Sequence, residues 1–143
     1  MRKLLILLLV SLCFISGCSG KASQVTLLYT TDTHGRVASD KDIIGMDLIA
    51  AVKRDTPNSL LVDAGDYLQG NPTVNLTKGE NSVRLMKMAG YYAATLGNHE
   101  FDFGKEVLQA RIAEAAAEPN PFYMLSANIL NEDGTYFTKP YVV

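Results

Sequence analysis

Four short apolar runs, parted by stretches of helical spacing, restrict this chain to few architectures. Val25 to Thr30 (VTLLYT) is β-branched and apolar, the pattern of a buried strand. Leu60 to Val62, Tyr92 to Leu96 and Phe122 to Leu125 repeat it. Between the first two runs, Asp42 to Arg54 carries Ile44, Leu48, Ile49 and Val52 at helical spacing, and Thr56-Pro57-Asn58 breaks it. Glu80 to Ala89 predicts a second helix with Val83, Leu85, Met86 and Met88 as its apolar side, ended by Gly90. Gly104 to Ala117 predicts a third, Ala-rich and stopped by Pro119. Strand and helix alternating in this way give an α/β fold with a largely parallel sheet. The 48% hydrophobic and 20% charged composition suits such a packed core and excludes a disordered chain. Pro140-Tyr141-Val142-Val143 reads as the start of a further strand with no closing element after it, so a truncated product is expected.

A parallel sheet puts the carboxyl ends of its strands on one edge, and ligands bind there. Three polar clusters fall at those ends: Asp32-Thr33-His34, Asp63-Ala64-Gly65-Asp66, and Gly97-Asn98-His99-Glu100. Both histidines of the chain lie in them. Carboxylate oxygen and imidazole nitrogen suit hard and borderline divalent ions. Asp32 and His34, two apart in an extended loop, can both turn to one ion. Asp66 has two oxygens and can bridge a pair. Asn98 offers a neutral amide oxygen. Two ions a few Å apart activate a water and clamp phosphoryl oxygens in an in-line displacement.

His99 and Asp102 are three residues apart, so one turn brings them together. Asp102 then orients the imidazole and raises its basicity. A protonated His99 can stabilise phosphoryl charge or protonate a leaving oxygen. Each piece alone has a plainer role: Asp32 as a turn residue, Asp66 as a cap or turn carboxylate, Asn98 as a left-handed turn residue, His99 as a loop histidine. Asp63 is read as structural, supporting its loop. The joint occurrence of three clusters, each after a predicted strand, is what points to chemistry.

The first residues are read as a targeting segment rather than fold. Arg2 and Lys3 precede an apolar run from Leu4 to Val10, extended by Leu12 to Ile15. That run is too short to span a bilayer and fits a secretory signal. Ile15-Ser16-Gly17-Cys18 resembles the bacterial lipobox, in which the Cys thiol is lipidated and becomes the mature N-terminus. Residues 1–18 are thus a lipoprotein signal peptide, 19–24 a tether, and 25–143 the folded part. Acyl chains on Cys18 would anchor the protein to the cell envelope outside the cytoplasm. With Cys13 removed and Cys18 lipidated, no thiol remains for a disulfide or a Cys metal site. Removing Arg2 and Lys3 from the 13 basic residues leaves 11 against 15 acidic ones, a balance of −4. No basic patch appears, which argues against a nucleic acid polymer as partner. No protein partner is evident either.

The clusters are similar to known motifs. DTHG at Asp32 to Gly35, GD at Gly65-Asp66 and GNHE at Gly97 to Glu100 resemble the first three motifs of the calcineurin-like metallophosphoesterases. The strings DAGDYLQG (Asp63 to Gly70) and LGNHEFDFG (Leu96 to Gly104) resemble the bacterial 5′-nucleotidase group, which includes UDP-sugar hydrolases and 2′,3′-cyclic phosphodiesterases. LSAN ending at Ser126 to Asn128, and Lys139-Pro140-Tyr141, also look like that group. The resemblance covers residues 25–143. It implies the N-terminal part of a layered α/β/β/α sandwich. It implies two divalent ions (Zn, Mn or similar), with Asp32 and His34 on the first, Asp66 bridging and Asn98 on the second. His99 with Asp102 would be the catalytic pair. The implied function is metal-dependent hydrolysis of phosphoester bonds in extracytoplasmic nucleotides. A cyclic-nucleotide phosphodiesterase, a nucleotide-sugar hydrolase on the same site, or an inert lipoprotein fragment are the alternatives. The family's Gly-His-x-His motif and nucleoside-holding domain have no counterpart in these residues.

Overall fold

The computed structural model describes residues 24–142. The signal-peptide and lipidation readings, Cys18 included, lie outside the described residues, as does the tether before Gln24. The elements run β1 (Thr26–Thr30), α1 (Met46–Asp55), β2 (Ser59–Asp63), α2 (Pro72–Asn75), α3 (Glu80–Ala89), β3 (Ala93–Thr95), a 3-10 turn (His99–Phe101), α4 (Lys105–Ala116) and β4 (Tyr123–Leu125).

The strands form one sheet in chain order, β1-β2-β3-β4, and each neighbouring pair is parallel. The register sets Thr30 beside Asp63, Asp63 beside Ala94, and Ala94 beside Met124. Strand side chains alternate between faces, so Leu28 and Leu61 share the face of that row. This face meets Met46 and Ile49 of α1, Val83, Met86 and Ala89 of α3, and Leu108 and Ala115 of α4 in a single core. The opposite face is bare: Leu27 and Tyr29 are 62% and 75% exposed, and Leu60 40%. The described residues therefore hold one helical layer and one sheet of the expected sandwich.

Helix α3 shows why its limits were legible. Gly79 and Gly90 flank it with φ of +83° and +81°, which glycine adopts at little cost. At its end the Tyr91 N–H donates to the Met86 carbonyl at 3.1 Å and the Gly90 N–H to the Lys87 carbonyl at 3.2 Å. This is the Schellman arrangement that terminates a helix. Short α2 starts with Asn71 accepting from the Thr73 N–H at 2.9 Å and Pro72 in the first turn.

Four expectations are corrected. Helix α1 starts at Met46, not Asp42, because side chains hold the preceding loop: Asp40 Oδ1 accepts from the Asp42 N–H at 2.9 Å, and Ser39 Oγ from the Gly45 N–H at 2.7 Å. Its buried residues are Met46 and Ile49, whereas Ile44, Leu48 and Val52 stay exposed in a groove beside Leu28 and Tyr29 of the edge strand β1. In α3, Met88 is 80% exposed and Ala89 takes the inward place. Lastly, Pro140 to Val142 form no strand.

Candidate active site

The first two loops are stitched together just past the strand ends. The Ala64 N–H donates to the Thr30 carbonyl at 2.9 Å, the Asp32 N–H to the Gly65 carbonyl at 3.0 Å, and the His34 N–H to the Asp66 carbonyl at 2.9 Å. Three of the candidate metal ligands have left-handed backbones: Asp32 at φ +52°, His34 at +47° and Asp66 at +63°. Each costs roughly 1–2 kcal/mol for a residue with a Cβ. Such strain is retained where the surroundings fix it, and functional sites are where it gathers. His34 Nδ1 lies 3.3 Å from the Gln69 carbonyl. A carbonyl only accepts, so Nδ1 carries the proton and Nε2 presents its lone pair. The Asp32 carboxylate accepts from the neighbouring Thr31 hydroxyl.

The third loop locks onto the second. The His99 N–H donates to Asp66 Oδ1 at 2.9 Å. Gly97 passes so close that a Cβ there would lie 2.2 Å from that same oxygen. The rings of His34 and His99 meet edge to face, with centroids 5.4 Å apart. Asn98, exposed, precedes the 3-10 turn. Thus Asp32, His34, Asp66, Asn98 and His99 stand on one edge of the sheet, as the pattern of strands and clusters requires.

The expected turn between His99 and Asp102 is the 3-10 turn, and His99 Nδ1 sits 2.7 Å from Asp102 Oδ2. The carboxylate accepts, which fixes the proton on Nδ1 and turns Nε2 outward. This hydrogen bond holds the imidazole above its ordinary pKa, with the charges of Asp102, Asp66 and Glu100 adding to it.

Beneath the loops lie two buried carboxylates. Asp63, 4% exposed, accepts from the Gly65 N–H at 2.7 Å and from the Thr30 hydroxyl, which also meets Tyr91 Oη at 2.7 Å. Burial pushes Asp63 up to about 6, against the pull of those two hydrogen bonds. Its geometry suits the supporting role read from the sequence. Glu100, 1% exposed, was given no role there. Its carboxylate accepts from four backbone N–H groups, of Asp66, Tyr67, Leu68 and Gly97. The available signal was its place beside would-be ligands in GNHE, which does not reveal that it points inward.

Two hollows flank the ligand loops. One, about 310 Å³, is lined by Asp32, Thr33 and Arg36 among others; the second, about 380 Å³, by His34, Arg36, Gly70, Asn71 and Pro72. A larger cavity of about 540 Å³, lined by Tyr123, Tyr136, Lys139 and Tyr141, lies beyond β4 and includes none of the cluster residues. Among the described residues, no three His, Cys, Asp or Glu side chains close around a single ion position.

A parallel sheet with carboxylate- and imidazole-bearing loops on its carboxyl edge is a frame on which α/β enzymes place their sites. The chain belongs to the calcineurin-like phosphoesterase family, whose model matches residues 25–142. It is similar to the trifunctional nucleotide phosphoesterase protein YfkN of Bacillus subtilis, 32% identical over 143 aligned positions that cover 84% of this chain and 9% of that protein. It is also 32% identical to the 5′-nucleotidase of Rattus norvegicus, over 78% of this chain and 21% of that protein. Among solved structures, the calcineurin-like phosphoesterase YfkN from Bacillus subtilis superposes with a TM-score of 0.66 at 29% identity, covering 82% of this chain and 41% of that one. The chain thus spans 9% and 21% of the length of the two curated relatives named here.

Proposed function

We propose that this chain supplies the first half of the active site of a metal-dependent nucleotide phosphoesterase acting outside the cytoplasm. The observation that carries the reading is the joining of three loops around Asp66, which accepts from His99 and whose carbonyl accepts from His34. The donors suit divalent ions by type: two carboxylates, one imidazole with Nε2 free, one amide and no thiol. Asp32 and His34 would hold a first ion, Asp66 would bridge, and Asn98 would hold a second. Bound there, such ions supply Lewis-acid activation of water and charge neutralisation at the phosphoryl group. His99 Nε2, with its proton affinity raised by Asp102, would carry a proton toward the leaving oxygen. The substrates we propose are nucleoside phosphates, in keeping with the phosphoesterase and 5′-nucleotidase relatives.

The test is hydrolysis by the full-length protein of a mononucleotide, a 2′,3′-cyclic nucleotide and a nucleotide sugar, with Mn²⁺ and with chelator. Chelator-sensitive hydrolysis of at least one is expected, read as free phosphate from the mononucleotide and as nucleoside monophosphate from the other two. Equal rates with and without metal would overturn the reading.

Anchoring is a separate proposal. Ile15-Ser16-Gly17-Cys18 supports lipidation of Cys18 and retention at the envelope. Cys18→Ala should release the protein or leave an unprocessed precursor. Unchanged incorporation of labelled lipid would sink the idea.

A further inference from the structure

We propose that Glu100 is a positioning residue that sets the spacing of the two-ion centre by clamping the second and third loops to one carboxylate. The inference rests on the two-ion reading above.

The carboxylate is divided between the loops. Oε1 accepts from the Tyr67 N–H at 2.8 Å and the Leu68 N–H at 3.1 Å. Oε2 accepts from the Asp66 N–H at 2.8 Å and the Gly97 N–H at 2.6 Å. One oxygen therefore holds Asp66, the bridging candidate, and Gly97, which leads into Asn98 and His99. The shared oxygen fixes the distance between the two backbones. The packing around it has no slack. A Cβ on Gly65 would fall 2.7 Å from the Gly97 nitrogen, and one on Gly97 would fall 2.2 Å from Asp66 Oδ1.

The clamp requires a carboxylate rather than a side chain of that size. Four converging N–H donors need four lone pairs from one group, which an ionised carboxylate has. Glutamine keeps one acceptor oxygen and sets an NH₂ against two N–H groups, leaving buried donors unpaired. Glu100 is 1% exposed, so water cannot replace the lost partners. No Lys or Arg forms a salt bridge with Glu100 among the described residues. Its negative charge is balanced by N–H dipoles, so the clamp adds no cation beside the proposed ions. Asp66 also needs such a hold, since its backbone sits at φ +63°. An unclamped loop can relax to a conformation in which the carboxylate no longer accepts from His99.

The experiment compares full-length wild type with Glu100→Gln, using Mn²⁺ alone as probe. Paramagnetic resonance distinguishes an exchange-coupled Mn²⁺ pair from isolated ions, and calorimetry gives the affinity. Wild type is expected to show the coupled pair. The variant should bind about 10–100-fold more weakly and show isolated ions. A merely structural role would not abolish the coupling in protein that still folds, as judged by near-UV circular dichroism. Amide exchange on metal-free wild type covers the case of an unfolded variant: Asp66, Tyr67, Leu68 and Gly97 should exchange slowly. Fast exchange at these amides would overturn the clamp, and so would a coupled pair of undiminished affinity in Glu100→Gln. Failure of wild type to bind Mn²⁺ would overturn the two-ion reading and the positioning role together, while slow amides would then mark a purely structural clamp.

Discussion

Gly97 and Asp66 Oδ1 are so close that a methyl group on Gly97 would lie 2.2 Å from the oxygen. Glycine is thus fixed here by contact rather than by backbone angle. Gly97→Ala should displace the Asp66 carboxylate and destabilise the fold by about 1–3 kcal/mol through overpacking. Urea denaturation measures the stability, and Mn²⁺ titration should show weaker binding. A variant as stable as wild type would contradict the close approach.

The Asp63 carboxyl titrates in a window that matters for stability. Burial raises it from its ordinary 3.8 to about 6. The folded state therefore holds the proton more tightly, and between those values stability falls as pH rises. The loss is of order 3 kcal/mol once both states are ionised. Asp63→Asn can keep the contacts, since its amide can donate to Thr30 Oγ while that hydroxyl turns to Tyr91 Oη. The metal-free variant is expected to gain stability relative to wild type as pH goes from 4 to 7. A stability difference that does not change with pH would refute the raised value.

His99 behaves in the same direction for a different reason. Its hydrogen bond to Asp102 raises the imidazole above 6.5. The stabilisation is present in full below the unfolded value and is lost as pH rises through the folded one. In Asp102→Asn the His99 titration, followed by NMR in metal-free protein, should move down. Hydrolysis should drop about 10–100-fold if His99 donates the proton. An unmoved titration would separate the two residues functionally.

Met86 and Met88 lie on opposite sides of α3, buried completely and 80% exposed respectively. Met86→Ala is expected to cost about 2–5 kcal/mol, while Met88→Ala should stay within about 0.5 kcal/mol. Comparable losses in thermal unfolding would mean that a partner covers Met88.

The strands and the polar clusters at their ends were legible because a parallel sheet leaves a plain signature: apolar runs ending in polar turns. The buried side of α1 was not. Ile44, Leu48 and Val52 have helical spacing, yet they face the groove beside β1, and spacing alone does not say which neighbours exist. The left-handed backbones at Asp32, His34 and Asp66 were equally hidden, since each arises from hydrogen bonds to another loop. Glu100 shows the same limit. Its four donors come from residues 66, 67, 68 and 97, and only folding brings them to one carboxylate.

The strand order β1-β2-β3-β4 also has a consequence in time. Each new strand joins the one made just before it, so no strand waits for a distant partner. The loops that meet at Asp66 can be assembled in the order of synthesis, one sheet edge at a time. Each pairing still spans about 30 residues, as a parallel crossover requires, so it closes more slowly than a hairpin. Joining in chain order keeps the number of apolar strand edges that wait open to other chains to one at a time.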